Sequence, residues 1–382
     1  MKKIVILHVF DDEKFFDSTS KFFDALDNVH NRYCFYTPNK NYQFKHIKLS
    51  HKIEVFNDYK EYTKLFSDKQ IDIIYFQSLY INKYHLFNYI SKEKKVIWWC
   101  FGAEIYHSYK GLKPLVDINL FQPITEKYKR NKENTFILNL KIGLKSLLFF
   151  YFKRIRNKVI QRIDYFSPVL PIEYELMKNN INFKARPFML DAGPGLYIPK
   201  PFTPISTPKN ILIGNSLTYT NNHLDIFDIL NNISLEKSRK YIIPISYGQD
   251  YSNDRTFFKG SLKNKQAIWL EDFVPQNEYK TYFESITHAV FGHIRQQAMG
   301  NINYCLERGV KIYLYKDSII YKQLKRLGHI IFTIEDDLNS ESLKSILSEK
   351  EATTNYKIFC ETIKDRIAKT NKELIDIMKY PI

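Results

Sequence analysis

Asn210-Ile211-Leu212-Ile213-Gly214-Asn215-Ser216 is a short apolar run that stops at a glycine and two small polar residues, and a helical pattern over 221–231 follows at once. A buried strand that turns sharply into a helix is the unit of a parallel α/β sheet. Downstream the unit repeats: strand 241–245, helix 255–262, strand 267–270, helix 277–285, strand 288–291, helix 303–307, strand 311–315, helix 318–327 and strand 329–332. This alternation predicts a doubly wound sheet whose ligands bind at the strand ends.

The same period runs upstream. Strands are expected at 4–9, 33–36, 71–76 and 96–101 and around Tyr165, with helices over 14–26 and 82–90. The pattern breaks between Phe188 and Asn210, where Gly193, Pro194, Gly195, Pro199, Pro201, Pro204 and Pro208 make a linker. The expected organisation is therefore a first domain over 1–190, a linker over 191–209, a second domain over 210–350 and a helical tail over 351–382 carrying Ile358, Ile363, Ile367, Leu374 and Ile377. Two Rossmann-like domains joined in this way form a cleft, a preferred ligand site, which argues for a two-substrate enzyme. Doubly wound sheets host many chemistries, so the reaction has to be read from the site.

The chain has 382 residues, of which 44% are hydrophobic and 16% aromatic, so it is neither disordered nor fibrous. At this length two domains are the ordinary outcome. Cys34, Cys100, Cys305 and Cys360 lie far apart with no C-x-x-C pair, which suggests neither a zinc knuckle nor a disulfide framework and fits a reducing compartment. The apolar run after Lys2 and Lys3 meets Asp11, Asp12 and Glu13 without a cleavage site, and so reads as a first strand rather than a signal peptide. Three consecutive acids cannot converge on one Mg²⁺, so the cluster reads as helix-start charge. No apolar run is long enough to predict a membrane span.

Net charge is +16, and residues 1–190 hold most of it, with 32 basic against 19 acidic side chains. The stretch 136–163 has no acid. It interleaves Lys141, Lys145, Lys153, Arg154, Arg156, Lys158 and Arg162 with Leu147, Leu148, Phe149, Phe150, Tyr151 and Phe152. A basic helix with bulky apolar side chains fits peripheral contact with an anionic membrane, where each cation is worth about 1 kcal/mol. The alternative is a packed helix with a solvated side. No zinc-finger or RNA-recognition signature accompanies the charge, so nucleic acid is not the expected partner.

Three constellations carry candidate chemistry. Gly214 allows close backbone approach, and Asn215 and Ser216 offer donors to a phosphate. In 291–303, a strand leads to Arg295, Gln296, Gln297, Gly300 and Asn301 at a helix start; Arg295 supplies an always-charged fork for a diphosphate leaving group. Phe101-Gly102-Ala103-Glu104 follows the Trp98-Trp99 strand, and Glu104 there is a candidate general base for an acceptor hydroxyl. His8, inside the first strand, is a second candidate base or a satisfied core histidine.

His8-Val9, Phe101 to Tyr106, Ile213 to Ser216 with Asn222-His223, Pro244 to Gly248, and Arg295-Gln296-Gln297 with Gly300 together resemble the bacterial 4-acetamido-4,6-dideoxygalactose (Fuc4NAc) transferases, glycosyltransferase family 56. The likeness is spread over most of the chain. Glu104 stands where that family usually has aspartate, and Ala298-Met299-Gly300-Asn301 replaces a Gly-Ile-Gly-Thr stretch. The resemblance implies the GT-B architecture, two Rossmann-like domains facing a cleft, with no metal ion or other cofactor. It implies a dTDP-sugar donor, a polyprenyl-diphosphate-linked saccharide acceptor in surface polysaccharide synthesis, and a peripheral place on the cytoplasmic face of the bacterial inner membrane. It also implies that the loop 270–274, with Glu271 and Phe273, lies against the donor's ribose and base. Two other functions are compatible with the residues: a non-catalytic basic module for membrane or anionic polymer, and a sugar-nucleotide epimerase of the same fold.

Overall fold

A computed structural model describes residues 3–109, 112–133, 142–188, 199–248, 254–263 and 266–379. The chain divides into two compact units. The first comprises 1–118, 141–198 and 363–382, and the second 119–140 and 199–362.

In the first unit, β1 (Ile4–Val9), β2 (Val29–Tyr36), β3 (Ile53–Phe56), β4 (Ile73–Gln77), β5 (Lys95–Cys100), β6 (Tyr165–Pro168) and β7 (Arg186–Pro187) form one sheet. Its order is β3-β2-β1-β4-β5-β6-β7 and its pairings are parallel. Helices cover both faces, so β4 is buried at every residue and reads as an unbroken apolar run. Tyr75, Ile97, Trp99 and Tyr165 pack on one face against Leu374 and Ile377 of the helix Arg366–Lys379. The last helix, Arg366–Lys379, is therefore part of the first unit's core, whereas the helix before it, Glu349–Ile363, belongs to the second unit up to Thr362; left-handed Asp365 lies between them.

The second unit holds β8 (Asn210–Ile213), β9 (Tyr241–Pro244), β10 (Ala267–Leu270), β11 (Ile286–Phe291), β12 (Lys311–Leu314) and β13 (Phe332–Thr333), in the order β10-β9-β8-β11-β12-β13, all parallel. The last strand lies slightly beyond the expected 329–332. The winding reverses between β8 and β11, the position at which open α/β sheets bind ligands. Both units are thus α/β with doubly wound parallel sheets.

Two differences from the sequence division stand out. The helix Pro123–Glu133, inside the expected first domain, packs with the second unit. Asp225 draws it there by accepting from the first-turn amides of Ile124 (2.8 Å) and Thr125 (2.9 Å), which have no acceptor within the helix. Of the expected linker, 199–209 is pinned to the second unit through Lys200 N–H on Glu307 and Lys209 N–H on Thr287, while 189–198 lies outside the described residues. The acidic cluster points three ways: Asp11 to Lys83, Asp12 to the Lys14 amide, and Glu13 to the Lys45 and His46 amides.

Five histidines are buried and neutral. Burial lowers His8, His223 and His329 to about 4, and His288 and His293 to about 3, from 6.5. The unfolded chain binds more protons than the folded one below 6.5, so stability is full above that value and is lost as pH falls towards 4. The urea midpoint, followed by circular dichroism, is expected to drop steadily across that window. A flat midpoint from pH 6.5 to 4 would contradict it.

Candidate functional site

At the reversal point of the second sheet, Gly214 ends β8 in a left-handed conformation (φ 61°) that costs a glycine little. Asn222 adopts the same region (φ 50°), which asparagine tolerates, and opens the helix His223–Asn231. Between them the loop 214–222 closes on itself. Asn221 Nδ2 donates to the Ser216 carbonyl (3.0 Å) and to Thr218 Oγ1 (2.9 Å), and Asn221 Oδ1 accepts from the Asn215 amide (3.2 Å).

Gln297, carried at the carboxyl end of β11, stitches that loop to its own. Its Nε2 donates to Asn215 Oδ1 (2.9 Å) and Thr218 Oγ1 (3.2 Å), and its Oε1 accepts from Thr220 (2.8 Å). Asn222 does the same from the other side: its Nδ2 donates to the carbonyls of Gly292 (2.7 Å) and Leu120 (3.1 Å). Asn215 Nδ2 reaches the hydroxyl of Tyr247 (2.8 Å), which brings in the loop after β9. Three strand-end loops and the segment before Pro123 are thereby locked in register, as a preorganised site requires. Arg295 leaves this network partly exposed, with Nη1 on the Gln296 carbonyl (2.7 Å).

The sequence-predicted residues meet different fates. Gln297, Asn215, Ser216 and Gly214 come together in one network. The side chains of Asn215 and Ser216 are committed to protein partners within it, rather than left as donors for a phosphate. Asn301 lies on Tyr279 (3.4 Å), and Glu271 is paired with Lys259. Phe273, three residues beyond β10, is 73% exposed. Asn221, Asn222, Thr218 and Thr220 join the network without having been expected as site residues. The paired asparagines at the helix start are the visible signal in the sequence, but their bonds run to residues up to 102 positions away.

The glycines separate into two kinds. A methyl on Gly292 would lie 2.3 Å from the Asn221 carbonyl oxygen, a backbone atom, whereas one on exposed Gly300 meets nothing within 4 Å. Gly292→Ala is expected to destabilise by roughly 1–3 kcal/mol. Gly300→Ala, in the first turn of the helix Met299–Arg308, should be neutral or gain up to about 1 kcal/mol. Thermal melts of the two variants give the comparison; equal losses would contradict the packing described.

In the first unit, Gly102 (φ 97°) turns the chain out of β5 so that Glu104 begins a short helix. Glu104 Oε1 accepts from the Phe101 amide (3.1 Å), while Oε2 is buried without a hydrogen-bond partner. Burial raises its pKa above the usual carboxylate value, opposed in part by nearby backbone amides. A pocket of about 60 Å³ opens beside it, lined also by Tyr80, Tyr84, Tyr109, Leu112 and Arg156. Lys83, near the end of β4, is buried and held by Asp11 (3.0 Å) and by the Gln77 and Ser78 carbonyls.

His8 does not share this arrangement. It is fully buried, its Nε2 lies on Asn31 (2.9 Å), and its ring packs on Phe23, Tyr33 and Tyr75. This corrects the expectation of a second base: no substrate oxygen reaches a ring enclosed in the core, and burial strips it of proton affinity.

Of the basic stretch, 136–141 lies outside the described residues. The helix Ile142–Arg162 buries Val159 and Ile160, leaves Phe150 65% and Tyr151 59% exposed, and exposes Lys153, Arg154 and Lys158. Among the described residues no helix is long and apolar enough to cross a membrane.

Two doubly wound parallel sheets with this strand order define the GT-B glycosyltransferase fold, and solved structures of that class match over nearly the whole chain. A glycosyltransferase from Rickettsia africae superposes with a TM-score of 0.60 at 12% identity, covering 99% of this chain and 98% of its own. Anabaena HepE, in complex with UDP and glucose, gives 0.60 at 9% identity, covering 98% and 99%. The E. coli trehalose-6-phosphate structure bound with UDP-2-fluoro glucose gives 0.59 at 10%, covering 99% of each chain. At these identities the likeness establishes the fold. No protein-family pattern matches the sequence, and no curated protein matches it.

Proposed function

We propose that the protein is a glycosyltransferase that moves a sugar from a nucleoside diphosphate to an acceptor hydroxyl. The observation that carries this reading is the Gln297 network, which holds Arg295 beside the reversal point of the second sheet. The acceptor oxygen forms a bond to the anomeric carbon as the bond from that carbon to the diphosphate breaks. Charge gathers on the departing diphosphate, where the Arg295 guanidinium and the amides around Gly300 and Asn301 stabilise it. The acceptor proton passes to Glu104, whose burial gives it more proton affinity than an exposed carboxylate. Phe273 supports the nucleobase.

The motif resemblance narrows the proposal to a dTDP-linked deoxy-amino sugar of the Fuc4NAc kind, an acceptor saccharide on a polyprenyl diphosphate, and work at an anionic membrane surface in polysaccharide synthesis. The exposed Phe150 and Tyr151 beside Lys153 and Arg154 support the membrane contact. A panel of dTDP- and UDP-sugars scored by thermal shift, followed by release of nucleoside diphosphate with a lipid-linked acceptor, tests the reading. A matched donor is expected to stabilise the fold by mass action and to turn over only when acceptor is present. Absence of both effects across the panel removes the enzyme reading. Salt-sensitive binding to anionic vesicles without turnover would favour the basic module.

A further inference from the structure

Arg156 occupies an unusual position for a cation. It is half-buried in the wall of the Glu104 pocket; its Nη1 donates to the Lys113 carbonyl (2.6 Å), and its Nε is buried with no partner. Among the described residues no carboxylate pairs with it at ion-pair distance. Burial correspondingly lowers its proton affinity. A guanidinium withdrawn from water without a counter-charge is costly to maintain, and an oxyanion is its natural complement, because the fork matches two oxygens at once.

The pocket fits such a group. Its volume admits a phosphoryl or carboxylate group, Tyr84 is buried in its wall, and Tyr80 and Tyr109 stand 40% and 49% exposed at its edge, where sugar rings pack on aromatic faces. We propose that this pocket is an oxyanion subsite for the acceptor, with Arg156 as the counter-charge and Glu104 on the same wall system receiving the hydroxyl proton. The proposal rests on the reading of the first unit as the acceptor-binding half. Two sources supply an oxyanion there: the diphosphate of a lipid carrier, or the carboxylate of an acidic sugar. The helix favours the first. Phe150 and Arg156 are six positions apart on Ile142–Arg162, about 9 Å along the axis and about 120° around it, so the pocket wall and the aromatics exposed for a lipid interface are carried by one helix.

The test uses the full chain with saturating dTDP present, so that the donor site is occupied, and titrates geranyl diphosphate in one arm and glucuronate in the other by calorimetry. Binding of either probe is expected, weakened about 10-fold or more in Arg156→Gln and retained in part in Arg156→Lys. Selective binding of geranyl diphosphate identifies the lipid carrier as the source, and selective binding of glucuronate the acidic sugar. No binding of either probe to the wild type, or unchanged affinity in Arg156→Gln, overturns the subsite. The stabilisation by dTDP is read separately, so failure at Arg156 with a normal nucleotide response leaves the transferase reading intact. Failure of the nucleotide response with Arg156-dependent anion binding does the reverse.

Discussion

Arg295→Ala is expected to lower turnover by about 10²–10³-fold while changing stability by no more than about 0.5 kcal/mol. Both figures follow from where the side chain sits. The side chain is half-buried on a loop whose shape is held by Gln297 and Asn222, and those ties remain when the guanidinium is removed. What it removes is the fixed positive charge at the point where a leaving diphosphate develops its own. Arg295→Lys should recover part of the rate, since an ammonium supplies charge without the planar fork. The measurement is the initial rate of nucleoside diphosphate release, beside a thermal melt. Near-normal release by the alanine variant would remove Arg295 from the reaction.

The second large effect is expected from Glu104→Gln, with opposite signs on rate and stability. Removing a general base costs about 10²–10⁴-fold in rate. Stability should rise at neutral pH. Burial raises the folded-state pKa of Glu104 above its ordinary 4.5, so between that value and the raised one the folded protein binds more protons than the unfolded chain. Stability therefore declines as pH rises through the window, and the loss persists above it. The amide carries no charge, keeps an oxygen for the Phe101 amide and escapes this loss. Melts of wild type and variant should converge below pH 4.5 and separate above it, with the variant higher. A structural carboxylate would lose stability when replaced, and parallel losses of rate and stability would contradict a general-base role for Glu104.

The elements that carry these side chains were largely legible in the sequence. β1 and β8 fall at the expected residues, because parallel strands covered on both faces are mostly apolar and short enough to stand out between helices. Short edge strands were less legible: β3 is four residues interrupted by Glu54, and β7 is only Arg186 and Pro187, both exposed. The helix Pro123–Glu133 is strongly polar, with few apolar residues to mark it. It is held by Asp225 at its first turn and by Tyr128 on Asp254 (2.7 Å).

His8 shows the limit for single residues. A histidine in a strand reads the same whether it lines a pocket or fills a core, and the packing of Phe23, Tyr33 and Tyr75 around it decides for the core. Arg156 is the converse, one of many cations on a basic helix until the fold turns it into the wall of the Glu104 pocket.

By itself the amino-acid sequence determined the alternation of strand and helix, the two-sheet class and the loops in which polar chemistry is concentrated, because hydrophobic periodicity and glycine placement are local properties. Tertiary structure alone decided that Gln297 binds the loop after β8, that Asn222 joins β11 to the segment before Pro123, and that Glu104 and Arg156 share a pocket. Each of these depends on burial and on contacts between residues dozens of positions apart. Desolvation and hydrogen-bond geometry are set by neighbours in space, which no window along the chain contains.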